Sequence, residues 1–110
     1  MAMPSLNLVY EAFATGSSEI VAAVPGKRIT VHNVSLMRDV GLPTAQFFSA
    51  ATALTPAGIY GSVFVPWLLP YSEYGWFWTA VNEALNITVS VAGPTEMFVH
   101  LAWSLKDSLS

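Results

Sequence analysis

Apolar residues in this chain recur with a period of two almost from end to end, a pattern that strands satisfy and helices do not. Leu85, Ile87, Val89 and Val91 alternate with Asn86, Thr88, Ser90 and Ala92. After Gly93-Pro94, which reads as a turn, Met97, Val99, Leu101, Trp103 and Leu105 take one face, and Glu96, His100, Ala102 and Ser104 take the other. Residues 84–105 are therefore expected to form an antiparallel hairpin.

Upstream, residues 20–24 run into Pro25-Gly26. Proline at the second and glycine at the third position of a turn suits type II, in which glycine takes a positive φ. This predicts a second hairpin. In its second arm, residues 28–38, Ile29 and Val31 sit at odd positions but Val34 and Leu36 at even ones. A β-bulge near His32-Asn33 accounts for the slip. Further strands are expected over 6–14, 45–54, 58–68 and 75–80, separated by the turn-rich breaks TGSS, DVGLPT, TPAG and PYSEYG. Residues 81–85 are the one helical rival and are too short to matter.

About eight short strands in 110 residues describe an all-β chain: a single-domain antiparallel β-sandwich, jelly-roll-like, over 1–110. Residues 1–14 read as an N-terminal arm or edge strand, and 106–110 as a short C-terminal tail.

Composition narrows the function. Hydrophobic residues make up 54% of the chain and charged residues 10%, against roughly 25% charged in ordinary soluble domains. Much of the exterior is expected to be covered by copies of the chain or by a larger body. The net charge is −3, and Lys27, Arg28, Arg38 and Lys106 are the only cations. No basic stripe exists to neutralise phosphates, which argues against nucleic-acid binding. There is no cysteine, so disulfide, thiolate and Cys-zinc chemistry fall away together. The start, MAMPSLNLVYEAF, lacks the layout of a secretory signal, and synthesis in the cytoplasm is the default expectation.

No constellation points to catalysis. Two histidines and seven acids are scattered without ligand spacing. His32 and His100 each fall on the polar face of an expected strand, where a solvated or interface role suffices. Ser62, in GIYGSVF, lacks the glycines of a nucleophile elbow. No glycine-rich loop opens a helix to cradle a phosphate. Catalytic, cofactor-binding and metal-ligating residues are accordingly expected to be none. Asn33-Val34-Ser35 and Asn86-Ile87-Thr88 match the glycosylation pattern and are read as accidental, since the N-terminus offers no secretory route.

The unusual feature is FVPWLLPYSEYGWFWTA, residues 64–80, which carries three of the four tryptophans. A membrane helix needs about 20 uninterrupted apolar residues, and here Pro66, Pro70, Glu73 and Gly75 interrupt the run, so no membrane partner is expected. A sugar platform would combine the rings with several placed polar groups, and few are at hand. Trp76 and Trp78 share one strand face and Phe77 takes the other, so both faces are apolar and both need covering. Trp67, Tyr71, Tyr74, Trp76 and Trp78 are expected to be core or intersubunit contacts, with a carbohydrate platform as the alternative.

Five short motifs then carry a resemblance: Pro25-Gly26-Lys27-Arg28-Ile29, Ala53-Leu54-Thr55, Leu69-Pro70-Tyr71, Gly75-Trp76-Phe77-Trp78-Thr79 and Glu83-Ala84-Leu85-Asn86. In order and spacing, over about residues 15–103, they resemble small β-sandwich proteins encoded among the structural genes of tailed bacteriophages, similar to capsid decoration, or cement, proteins. The resemblance implies a homotrimer on the exterior of a phage head that clamps neighbouring major capsid subunits, with a tail fibre or baseplate component as the alternative. Two departures stand out: Trp78 where a polar residue is expected, and Asn82 where glycine is usual.

Overall fold

The computed structural model describes residues 6–14, 16–38, 44–56, 67–90 and 96–107. Every regular element among them is a strand: β1 (Asn7–Ala14), β2 (Gly16–Val21), β3 (Lys27–Arg38), β4 (Thr44–Ser49), β5 (Thr52–Ala53), β6 (Trp67–Leu69), β7 (Phe77–Trp78), β8 (Leu85–Ser90) and β9 (Glu96–Asp107). One sheet has the order β1-β9-β3-β6, with β7 also paired to β3, and the other has the order β2-β8-β4-β5. All pairs are antiparallel. With β6 and β7 counted as one interrupted strand, this is the strand order of a jelly roll, two Greek keys folded into a β-sandwich.

Nine strands are found among the described residues where about eight are expected, because the strand expected over 45–54 is two, β4 and β5. β6 pairs with Val34 to Leu36 and β7 with Thr30 and Val31, both antiparallel to the same strand. They run in one direction along β3, so the PYSEYG break is an excursion from a single edge strand.

Neither expected hairpin forms. β8 lies in the second sheet and β9 in the first; β2 lies in the second sheet and β3 in the first. Alternation reports which side of a strand meets the core, and strands from two sheets share one core. The expected strand over 45–54 is in fact the β4–β5 hairpin, reversed at Ala50 and Ala51, with Ala50 at φ 51°. The Pro25-Gly26 turn is present: Lys27 N–H donates to the Val24 carbonyl at 3.1 Å, and Gly26 has φ 76°. It joins the two sheets. The bulge also stands where the slip placed it, between Val31 and Asn33. Residues 58–66 of an expected strand, the Gly93-Pro94 turn and residues 108–110 lie outside the described residues. Residues 7–14 form an edge strand, and β9 continues through Asp107, so the tail does not begin at 106.

The core lies between the sheets. Ile29, Val31, Val34 and Leu36 of β3 and Met97, Val99 and Leu101 of β9 face Phe47 of β4 and Leu85, Ile87 and Val89 of β8, all buried. Full burial of each such side chain contributes about 1.5–3 kcal/mol. Phe77 enters from the interrupted strand and meets Phe47 with ring centroids 5.2 Å apart. At one end Asn82, at φ 68°, accepts the Gly26 N–H on its Oδ1 at 2.6 Å and donates its own N–H to the Lys27 carbonyl at 3.0 Å. Asparagine tolerates this left-handed conformation better than most residues other than glycine, which suits it to this position.

Candidate functional site

Four of the five expected aromatic residues, Tyr71, Tyr74, Trp76 and Trp78, lie on one surface, the outer face of the β1-β9-β3-β6 sheet, and the bulge in β3 is what assembles it. Before the bulge, Thr30 and His32 point away from the core; after it, Ser35 and Met37 do. The excursion at residues 70–76 lies over the first of these halves. Ser72 N–H donates to the His32 carbonyl and Trp76 N–H to the Val31 carbonyl, each at 2.8 Å. Trp76 Nε1–H closes the excursion on the Pro70 carbonyl at 2.6 Å.

His32 is therefore fully buried, contrary to its expected solvated or interface role. Its Nδ1–H donates to the Ser72 carbonyl at 2.8 Å, a group that can only accept, and its Nε2 is hydrogen-bonded to the Ser104 hydroxyl at 2.7 Å, as acceptor when the ring is neutral. The Tyr71 ring stacks over it at 5.8 Å. Ala102 and Ser104, expected on a polar face, are also buried, Ser104 beside His32, and Leu105, expected in the core, is exposed. His100 stays exposed beside Tyr10, ring centroids 4.9 Å apart.

Of the five expected contact residues, Trp67 sits opposite Leu36 and packs against the core. Tyr71, Trp76 and Trp78 point outward, each a little under half exposed, and Tyr74 at the tip of the excursion is 79% exposed. The Arg28 guanidinium lies 5.5 Å from the Trp78 ring centre, a cation–π contact. Phe77, between the two tryptophans, is buried as its alternation requires.

Sequence reasoning missed the other half of this face. Leu8 and Tyr10 on β1, 71% and 84% exposed, Phe98 on β9, Met37 on β3 and Leu68 on β6 extend the same apolar surface. The register lays Tyr10, His100, Ser35 and Leu68 in one row across four strands, with Ala12, Phe98 and Met37 in the next. A shallow groove of about 360 Å³ runs over these rows. The signal was in residues 6–14, where Leu8 and Tyr10 are apolar on one side while Val9 and Phe13 are apolar on the other.

The opposite outer face is built differently. Ser17, Thr88 and Gln46 form a row across β2, β8 and β4, and Glu19, Asn86 and the half-buried Phe48 form the next. The Ser17 and Thr88 hydroxyls hydrogen-bond each other at 2.9 Å. One outer face of the sandwich is thus mainly polar, and the other is mainly apolar.

Among the described residues no three histidine, aspartate or glutamate side chains converge in a way that could hold a metal ion. Asn86 Nδ2–H donates to the Ala50 carbonyl at 3.0 Å and Asn33 Oδ1 accepts the Ala102 N–H at 2.9 Å, so both amides of the glycosylation-like triplets are engaged within the fold. Lys27 and Asp107, directly opposite across β3 and β9, form an ion pair. The hydrogen bond from Lys27, and then its charge, holds the Asp107 carboxyl below the usual carboxylate range. No protein-family model matches the chain, and neither a characterised protein nor a solved structure is significantly similar to it.

Proposed function

We propose that this chain is a non-catalytic structural virion protein, a homotrimer that decorates the exterior of a tailed-phage capsid and clamps neighbouring major capsid subunits. The observation that carries the reading is the contrast between the two outer faces, one mainly polar and one mainly apolar. Leu8, Tyr10, Met37, Leu68, Tyr71, Trp76, Trp78 and Phe98 are all partly exposed on the apolar face. At about 200 Å² for each such side chain they leave on the order of 850 Å² uncovered. That is about what one partner contributes to a stable protein–protein interface, and it exceeds the apolar patches of typical monomers. Aromatic anchors of this kind concentrate binding energy at interface centres. Jelly rolls serve capsid and lectin domains alike, so the fold only accommodates the reading.

Imaging of purified particles that contain the chain tests it. The expected result is density for the sandwich at threefold positions on the head, apolar face toward the capsid. Absence of the chain from purified particles, or its presence only in the tail, overturns the decoration role.

The groove favours a second reading, a carbohydrate-binding module, because it sets the Tyr10 and His100 rings beside the Ser35 hydroxyl. That reading requires tryptophan or tyrosine fluorescence to respond to oligosaccharides, and a flat titration across a glycan panel removes it.

A further inference from the structure

A β-sandwich of two open sheets has four edges, and each is a row of unpaired backbone groups able to recruit another strand. Three of the four are blunted here. The β6–β7 edge is broken into pieces of three and two residues by the excursion that begins at Pro70. The β5 edge is two residues long, and the β2 edge carries a register shift between Glu19 and Val21. The fourth edge, β1, is neither short nor broken nor bulged, and its one charged residue is Glu11, on the side of Val9 and Phe13. Its eight residues, NLVYEAFA, pair with β9 without a break from Asn7↔Trp103 to Ala14↔Glu96, and contain no proline and no lysine. Among the described residues nothing hydrogen-bonds to its outer side.

We infer that β1 pairs antiparallel with β1 of a second copy of this chain, about a twofold axis at Tyr10, joining two sheets into one. Backbone parity supplies the register. Ala102 directs its N–H toward β3, onto Asn33 Oδ1. Hydrogen-bonding direction alternates along an antiparallel strand, so Ala102, His100 and Phe98 face β3 with their backbone. Their β1 partners Leu8, Tyr10 and Ala12 therefore turn N–H and C=O groups to the open edge. Two such edges match only when outward residues oppose outward residues. Of the two matching registers with greatest overlap, an axis at Glu11 sets two carboxylates directly opposite, which is unfavourable. An axis at Tyr10 sets Glu11 opposite Val9.

That register also suits the side chains. Leu8 of each copy lies across from Ala12 of the other, large against small, and the two Tyr10 rings meet at the axis. About six backbone hydrogen bonds form across the seam, and the apolar outer faces become continuous. Because the contact is isologous, alone it yields a dimer and combined with a threefold arrangement it yields a hexamer.

The chain has no cysteine, so a single Tyr10→Cys substitution places one thiol per subunit, on the axis. Opposed residues of a hydrogen-bonded antiparallel pair lie about 5.5 Å apart between Cα atoms, within reach of a disulfide. The expected result is an even-numbered oligomer by native mass spectrometry at micromolar concentration, with Tyr10→Cys cross-linking at least tenfold faster than the exposed control Tyr74→Cys. Ala12→Pro removes an outward N–H without touching the β1–β9 ladder, and is expected to halve the mass with the β-sheet circular dichroism unchanged. A monomer, a trimer, or Tyr10→Cys cross-linking no faster than the control overturns the inference, whether or not Ala12→Pro folds. The contact does not rest on the virion reading: a particle-bound trimer without the cross-link removes this contact alone, and a cross-linked dimer missing from particles removes that reading alone.

Discussion

Ser104 Oγ on β9 and His32 Nε2 on β3 are hydrogen-bonded at 2.7 Å, in a site that the excursion at residues 70–76 seals from water. The imidazole bridges three pieces of chain, because its other nitrogen donates to Ser72. His32→Ala leaves a cavity under Tyr71 and strands a buried hydroxyl and a carbonyl. The expected loss is about 2–4 kcal/mol of folding stability, read from urea denaturation. Ser104→Ala removes one partner and is expected to cost about 1–2 kcal/mol. A double variant whose loss equals the sum of the two singles would show that the two side chains are not coupled.

Gly75 presses on Thr30. A Cβ at position 75 would overlap the Thr30 γ-methyl, and the backbone there has φ 88°. Overpacking and a left-handed backbone each act against a side chain, so Gly75→Ala is expected to destabilise by about 2–4 kcal/mol. Gly26, also at positive φ but with open space around it, serves as the control. Gly26→Ala should cost about 1 kcal/mol less or better, since only the backbone term remains. Equal losses at the two positions, by thermal denaturation, would remove the packing account.

Trp76 and Phe77 are neighbours with opposite assignments. Phe77 is 8% exposed and packs on Phe47, whereas Trp76 is 46% exposed. Phe77→Ala is expected to cost about 3–5 kcal/mol. Trp76→Ala gives up part of a ring surface and one hydrogen bond, about 1–2 kcal/mol. On the proposed function Trp76→Ala should also weaken attachment to particles while the subunit stays folded. A folded variant that attaches like the parent would take Trp76 out of the interface.

The Lys27–Asp107 pair gives a signed pH effect at the ends of β3 and β9. Lys27 holds the Asp107 carboxyl below its ordinary value in the folded chain. The contribution is therefore complete above the unfolded carboxylate range and is lost as pH falls through the lowered folded value. The pair is exposed, so its effect on stability is small and weakens with salt. Carboxyl carbon chemical shifts should show Asp107 titrating at lower pH than free aspartate, and Lys27→Met should return it toward the ordinary range. An unchanged midpoint in that variant would deny Lys27 its role.

Much of the fold was legible in local pattern. Leu85, Ile87, Val89, Met97, Val99 and Leu101 announce their buried face through strict alternation, and the slip from Val31 to Val34 announces the bulge. Pro25-Gly26 specifies its turn through the φ each residue permits. That Trp76 and Trp78 share the face opposite Phe77 follows from alternation, but which of those two faces is buried only the structure shows. What misled was adjacency: β8 and β9 look like a hairpin because both carry a clean apolar face, yet they lie in opposite sheets. The exposed half of the candidate surface, Leu8, Tyr10 and Phe98, was passed over because alternation directs attention to the face that is buried.

The amino-acid order by itself determined that this chain forms short strands and which side of most of them is apolar, because side-chain period acts over a few residues. The strand limits it set less well, since Gly16, Ser17 and Ser18 of the expected TGSS break belong to β2 and the reversal at Ala50 fell inside an expected strand. Only the tertiary structure decided which strands pair, that residues 70–76 fold over His32, and that the apolar residues of β1, β3, β6 and β9 meet on one face. Those outcomes depend on hydrogen bonds and contacts between residues tens of positions apart, which no local pattern encodes.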